Sequence, residues 1–129
     1  MNKILVEVSV GELLDKISIL EIKKEKILDL ESLKIINSEY LVLNEQAKKN
    51  VLKSPKLASL FDELKEINLK LWLIEDDKRM CEKNKDFGEK FIKLSRDVHF
   101  FNDTRAKIKL EINNLTGSKI KEIKKYTNY

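Results

Sequence analysis

The sequence predicts a mainly all-α fold, an antiparallel helical hairpin or bundle of three to four helices, and three observations carry that reading. Only three glycines and one proline punctuate 129 residues, too few for the turns of a sandwich or barrel. Apolar residues recur at three- and four-residue steps over long stretches, the spacing of one helix face. Capping signals stand just ahead of those stretches. A chain of this length closes one hydrophobic core, so residues 1–129 read as a single helical domain.

Ile4-Leu5-Val6-Glu7-Val8 alternates with period two and is rich in β-branched residues, which reads as a short strand. Its one candidate partner is Lys119–Ile123, beyond Gly117-Ser118, and the pair would make a two-stranded β ribbon within one chain or between two. Such a ribbon is marginal unless it packs on helices or on a second subunit. Ser9-Val10-Gly11-Glu12 has capping-box spacing, so a helix starts near residue 10. Its stripe Val10, Leu13, Leu14, Ile17, Leu20, Ile27, Leu28 is widened by Ile19, Ile22, Leu30 and Leu33, which predicts apolar cover on both faces. Asn37-Ser38 reads as a break or a new cap, with Tyr40 to Lys49 either a kinked continuation or a separate short helix.

Ser54-Pro55 is a cap followed by proline at the first helical position. From there Leu57, Leu60, Leu64, Ile67, Leu71, Ile74, Lys78 and Cys81 step three and four without a slip, the seam of a coiled-coil-like helix. Asp86-Phe87-Gly88-Glu89 reads as a second capping box. The rhythm then resumes through Phe87, Phe91, Leu94, Val98, Phe101, Arg105, Ile108, Ile112 and Leu115, with Gly117 placed as a C-terminal cap. These last two helices form an antiparallel hairpin turning at about residues 83–86.

Composition bounds the chemistry. One cysteine, Cys81, and one histidine, His99, exclude an intrachain disulfide and Cys- or His-based zinc clusters, and neither a metal nor a cofactor is expected. No stretch approaches the roughly 20 apolar residues of a membrane span. With no leader pattern and a lone thiol, a cytoplasmic location is the expectation. The formal net charge of +4 comes from interleaved signs, and only Lys119, Lys121, Lys124 and Lys125 resemble a basic stripe, so nucleic acid is an unlikely partner.

Three features stand out as binding candidates; no catalytic constellation does. Arg105 interrupts an otherwise apolar seam. In a hairpin turning near residue 85 it lies opposite position 65, within reach of Glu63 or Glu66 for a structural ion pair; otherwise it clamps an anion together with Arg96 or Lys109. Glu75-Asp76-Asp77 is an acidic cluster with Arg79 at helix-neighbour spacing and Trp72 one turn before Asp76. Ser95, His99, Asn102, Ala106, Lys109 and Asn113, with Asp103 beside them, give the last helix a polar face suited to a cleft or a subunit contact.

The run from Ile4 to Ile17, together with Leu71-Trp72-Leu73-Ile74-Glu75-Asp76-Asp77, Asp86-Phe87-Gly88 and Asn102-Asp103-Thr104-Arg105, resembles a small bacterial and phage family catalogued as a domain of unknown function. The likeness runs nearly end to end, through Leu115-Thr116-Gly117-Ser118 and Tyr126. It implies no activity, but it implies a neighbourhood among cell-surface glycan genes. It also marks Asp15, which no local pattern explains. Lys78 departs from the family pattern, which has an apolar residue there.

Two functions fit. The first is a non-enzymatic interaction or assembly module, a homodimer or a binder of a protein partner, joined through the broad apolar first helix. The second is a small enzyme or binding protein for an anionic metabolite, a carboxylate or phosphate, using Arg105, Arg96, Arg79 and the Glu75–Asp77 cluster. The second requires those groups to converge on one pocket; the first requires open apolar surface. On sequence alone, Arg105→Met is expected to leave a module folded with at most a modest change in stability.

Overall fold

Four helices carry the regular structure of the protein, whose computed structural model describes all 129 residues. They are α1 (Val10–Lys26), α2 (Leu30–Asn50), α3 (Pro55–Lys83) and α4 (Glu89–Thr116). No β-strand is present. At 29 and 28 residues, α3 and α4 are each about 43 Å long at 1.5 Å per residue and form the antiparallel hairpin that their seams predict. Leu57, Leu60, Leu64, Ile67, Ile74 and Cys81 are all buried along that seam. Lys78, the polar interruption, lays its ammonium 5.7 Å from the Phe91 ring centre, so its stem fills a seam position while its charge rests on an aromatic face.

The first helix is the hub. It packs on α2, α3 and α4, whereas α2 packs on α1 alone. Leu14 and Ile17 join Leu57, Leu60, Leu64, Ile108 and Ile112 in one core cluster. Of the four residues expected to supply a surplus face for a second subunit, Ile22 is 1% exposed, Ile19 and Leu33 are half-buried, and Leu30 is 75% exposed. Open apolar side chains include Leu30, Ile35, Leu41 and Val42 on α2 and residues 4–6, with others at the connections (Leu28, Leu52) and in the last segment (Ile123).

Several local expectations are corrected. The first helix stops at Lys26, and Leu30 and Leu33 belong to α2, which runs unbroken through Asn37-Ser38. Asp29 makes the boundary: its carboxylate accepts from the Ser32 amide (2.9 Å) and hydroxyl (2.6 Å), an N-cap hidden inside an apolar run. The second capping box does not form. The Asp86 side chain instead accepts from the Gly88 amide (3.2 Å), and Gly88 caps α4 with no side-chain bond. The terminal ribbon does not form either. Residues 1–8 stay exposed without a partner strand, and the segment after Gly117 is held by α1 and α4 through side chains.

The start of α1 fixes its place against α4. Ser9 Oγ accepts from the Glu12 amide (3.0 Å), Asn113 Oδ1 from the Gly11 amide (2.7 Å) and Ser118 Oγ from the Val10 amide (3.1 Å). The capping box is thus half formed, because the Glu12 carboxylate turns to Lys109 instead of its own cap. A Cβ on Gly11 would sit 2.6 Å from the Lys109 carbonyl oxygen. Alanine normally stabilises a helix relative to glycine by up to ~1 kcal/mol. Here Gly11→Ala is expected to reverse that sign and cost about 1–3 kcal/mol, because backbone must shift to admit a methyl group; urea denaturation of the variant measures it.

Candidate functional site

Where α1 crosses the α3–α4 hairpin, the core turns polar. Asp15 on α1 is 1% exposed, and a buried carboxylate needs a full set of partners. Arg105 supplies two, Nε to Oδ1 at 3.0 Å and Nη2 to Oδ2 at 2.5 Å, a bidentate pair from α4. The Asn68 amide on α3 donates to Asp15 Oδ1 (2.9 Å) and to Ser18 Oγ (2.8 Å), and the Ser18 hydroxyl donates to the Asp15 carbonyl (2.7 Å). Burial alone would push the Asp15 carboxyl up. The Arg105 and Asn68 hydrogen bonds and the charges of Arg105 and Lys109 outweigh it, so the carboxyl is held below its ordinary value.

Lys109, one turn further along α4 and 8% exposed, extends the network. Its ammonium reaches Glu12 at 2.7 Å, Glu122 at 3.2 Å and Asp15 at 3.9 Å. Desolvation would lower its pKa, and these three carboxylates reverse that and raise it. Every buried side-chain nitrogen and oxygen in the protein has a hydrogen-bond partner. The ion pair foreseen for Arg105 therefore exists, but with Asp15 and not with Glu63 or Glu66. Position 65 is turned to α1 as well, since Lys65 bridges Glu21 (3.1 Å) and Glu25 (3.0 Å). A third helix lying over the hairpin takes the seam arginine.

The other candidates divide between two places. The polar face of α4 is the seat of the chain's own last residues: the Tyr129 hydroxyl donates to Asp103, and its ring stands edge-on to His99 and Phe100, each at 5.4 Å. Arg96 lies 5.8 Å from the Phe100 ring centre, apart from the network. Asn102 is 3.4 Å from Arg105 Nη1, a weak contact. Arg105 of α4 also lines a cleft of about 360 Å³ with Asn68, Trp72, Glu75, Asp76 and Arg79 of α3. Arg79 and Glu75 lie 3.8 Å apart across one helical turn. Arg105, Arg79 and the acidic pair therefore converge, and Arg96 does not.

A second concavity was not foreseen. Because α2 leans on α1 without reaching α3, a groove of about 300 Å³ opens between them over the floor residues Leu14 and Ile17. Ala47, Val51, Leu57 and Phe61 form its apolar walls, and Lys48 and Lys53 stand exposed at its edge. Each of these residues reads in sequence as ordinary core or surface. The groove arises from the angle between helices, which periodicity does not encode.

Residues 4–129 match the family of unknown function DUF6165, and the chain belongs to that family. No curated protein and no solved structure matches it. No helix is long and apolar enough to cross a membrane.

The network reverses the expectation for Arg105→Met. Removing the guanidinium leaves the Asp15 carboxylate buried without its main partner, so the variant should lose about 3–5 kcal/mol in urea denaturation at neutral pH. The sign of the pH dependence follows from linkage. A carboxyl with its folded pKa depressed adds stability that is complete above its unfolded value, about 3.9, and is lost as pH falls through the folded pKa. Asp29 and Glu122, both also lowered, act in the same direction. The wild type should therefore weaken steadily below about pH 4, and its advantage over Arg105→Met should narrow over the same interval.

Proposed function

We propose that this protein is a small non-enzymatic interaction module, a homodimer or a docking unit for another protein, working through apolar surface that its own fold leaves open. The observation that carries this reading is where the apolar side chains lie. Ile4 and Leu5 are 90% and 91% exposed, and Ile35, Leu41 and Val42 stand open on a helix supported from one side only. Scattered exposed apolar residues are ordinary, but runs of them on unsupported elements mark contact surfaces. Meanwhile Arg105 and Lys109 are engaged with carboxylates of their own chain. We place the module in the cytoplasm of a bacterial or phage-infected cell. The family resemblance directs the search for a partner toward cell-surface glycan assembly.

A second reading, a binder of an anionic metabolite, is favoured by one specific observation, the convergence of Arg105, Arg79, Glu75 and Asp76 beside Trp72. Trp72 is the sole tryptophan, so its emission reports directly on that cleft.

Light scattering from low to high micromolar concentration separates the two, combined with Trp72 fluorescence during titration with phosphorylated metabolites, dicarboxylates and sugar nucleotides. A homodimeric module should exceed the mass of one chain as concentration rises, and a module of either kind should leave Trp72 emission unmoved by the compounds. A strict monomer whose Trp72 emission and melting temperature shift together with one compound class, as selective binding to the folded state requires, would establish the second reading instead.

A further inference from the structure

The molecule leaves open two features of matching chemistry. One is the segment ahead of α1. Residues 1–8 are all exposed and belong to no helix or strand; drawn out as an extended backbone, they place Ile4, Val6 and Val8 on one face and Leu5 and Glu7 on the other. The other is the groove between α2 and α3, whose apolar floor and walls end at Lys48 and Lys53. The arm is long enough to run the length of the groove and a few ångströms past it. Ile4 to Val8 spans about 13–17 Å as extended chain, and the α2 wall from Asn44 to Val51 runs for about 11 Å.

We infer that the Ile4–Val8 arm of one copy seats in the α1–α2–α3 groove of a second copy, and reciprocally, so that the occupant of the groove is this chain itself. This inference rests on the interaction-module reading. With Ile4, Val6 and Val8 turned to Leu14, Ile17, Val51 and Leu57, Glu7 is left on the outer face, where it meets Lys48 and Lys53; the one acid lining the groove, Glu21, is already paired with Lys65 (3.1 Å), so the free charges at the rim are opposite to Glu7. The groove is open on one side, so the arm's outward amide groups keep water as their partner and no ladder of strand bonds is needed. Within a single chain the arm does not fill its own groove: Ile4, Leu5 and Val6 remain at least 75% exposed. Reciprocal exchange of identical elements closes a two-fold dimer, the commonest symmetry of homo-oligomers.

The test uses two variants of the full chain outside the polar network. Ile4→Asp with Val6→Asp spoils the face of the arm that enters the groove. Ala58→Glu, at an exposed position lining the groove, blocks the seat without touching a buried side chain. Light scattering over a concentration series should show the wild type rising to twice the chain mass and each variant staying at one. An equimolar mixture of the two variants keeps one of the two seats, so it should associate more weakly than the wild type and more strongly than either variant alone. A wild type that stays monomeric throughout overturns the exchange and removes the self-association arm of the module reading. A dimer that survives both variants overturns the exchange alone and leaves the module standing on another surface, with α2 the next to be substituted. A dimer lost in the arm variant but kept in Ala58→Glu shows the arm seated elsewhere and likewise overturns it.

Discussion

The buried carboxylate of Asp15 governs how the rest of the chain assembles. A helix covered on several sides has many ways to satisfy apolar contacts, because one leucine replaces another at modest cost when it slides by a turn. It has one way to satisfy a carboxylate that is 1% exposed. The partners stand on α3 (Asn68) and α4 (Arg105, Lys109), so the pairs 15–68, 15–105, 12–109 and 11–113 close together or not at all. Burying an ion pair gains little net stability over a well-packed apolar equivalent, while breaking one is expensive. Its contribution is therefore to register. It tells α1 where to lie on the hairpin, which a repeating apolar seam does not.

The same logic runs to the first turn of α1. Helix N-termini expose amide donors that favour anions, yet here the Val10, Gly11 and Glu12 amides are taken by Ser118, Asn113 and Ser9. Asn113 approaches closely because position 11 has no side chain. Glu12, released from its own cap, joins Glu122 and Asp15 around Lys109. One lysine thus ties α1, α4 and the segment beyond α4 together. The polar face of α4 that suggested a cleft carries that last segment, with His99 and Asp103 against Tyr129, and the two enclose a hollow of about 500 Å³ lined by His99, Asn102 and Asp103.

What the sequence reveals follows from how local its signals are. The α3–α4 hairpin is legible from Leu57 to Leu115 because a seam stepping three and four is a property of neighbouring residues. Arg105 is legible as an anomaly for the same reason, but its partner is 90 positions away on a helix whose placement no pattern encodes. Asp15 surfaces only through family resemblance, since a single acid at helical spacing resembles any solvent-facing residue. The α1–α2 boundary is lost among Ile27, Leu28, Leu30 and Leu33, where one Asp29–Ser32 cap outweighs a continuous apolar pattern. The Asp86 signal is real but its geometry differs: a short acid two residues before a glycine closes a turn as readily as it caps a helix.

The polar and apolar parts of the molecule thus have separate tasks. Arg105 and Lys109, with Asp15 and Asn113, are consumed in fixing one arrangement of α1, while the arm, the outer face of α2 and the groove carry the surface free for contact. The energetics of that surface set how it works. Ordering five extended residues costs about 1–2 kcal/mol each, and burying three aliphatic side chains returns about 1.5–3 kcal/mol each, so a single arm in a single groove is close to balance. In the proposed exchange two seats share the one cost of association, which would tie occupancy of the groove to protein concentration. Assembly of the kind proposed would be reversible and concentration-dependent, the behaviour an interaction module needs and a pre-formed catalytic pocket does not.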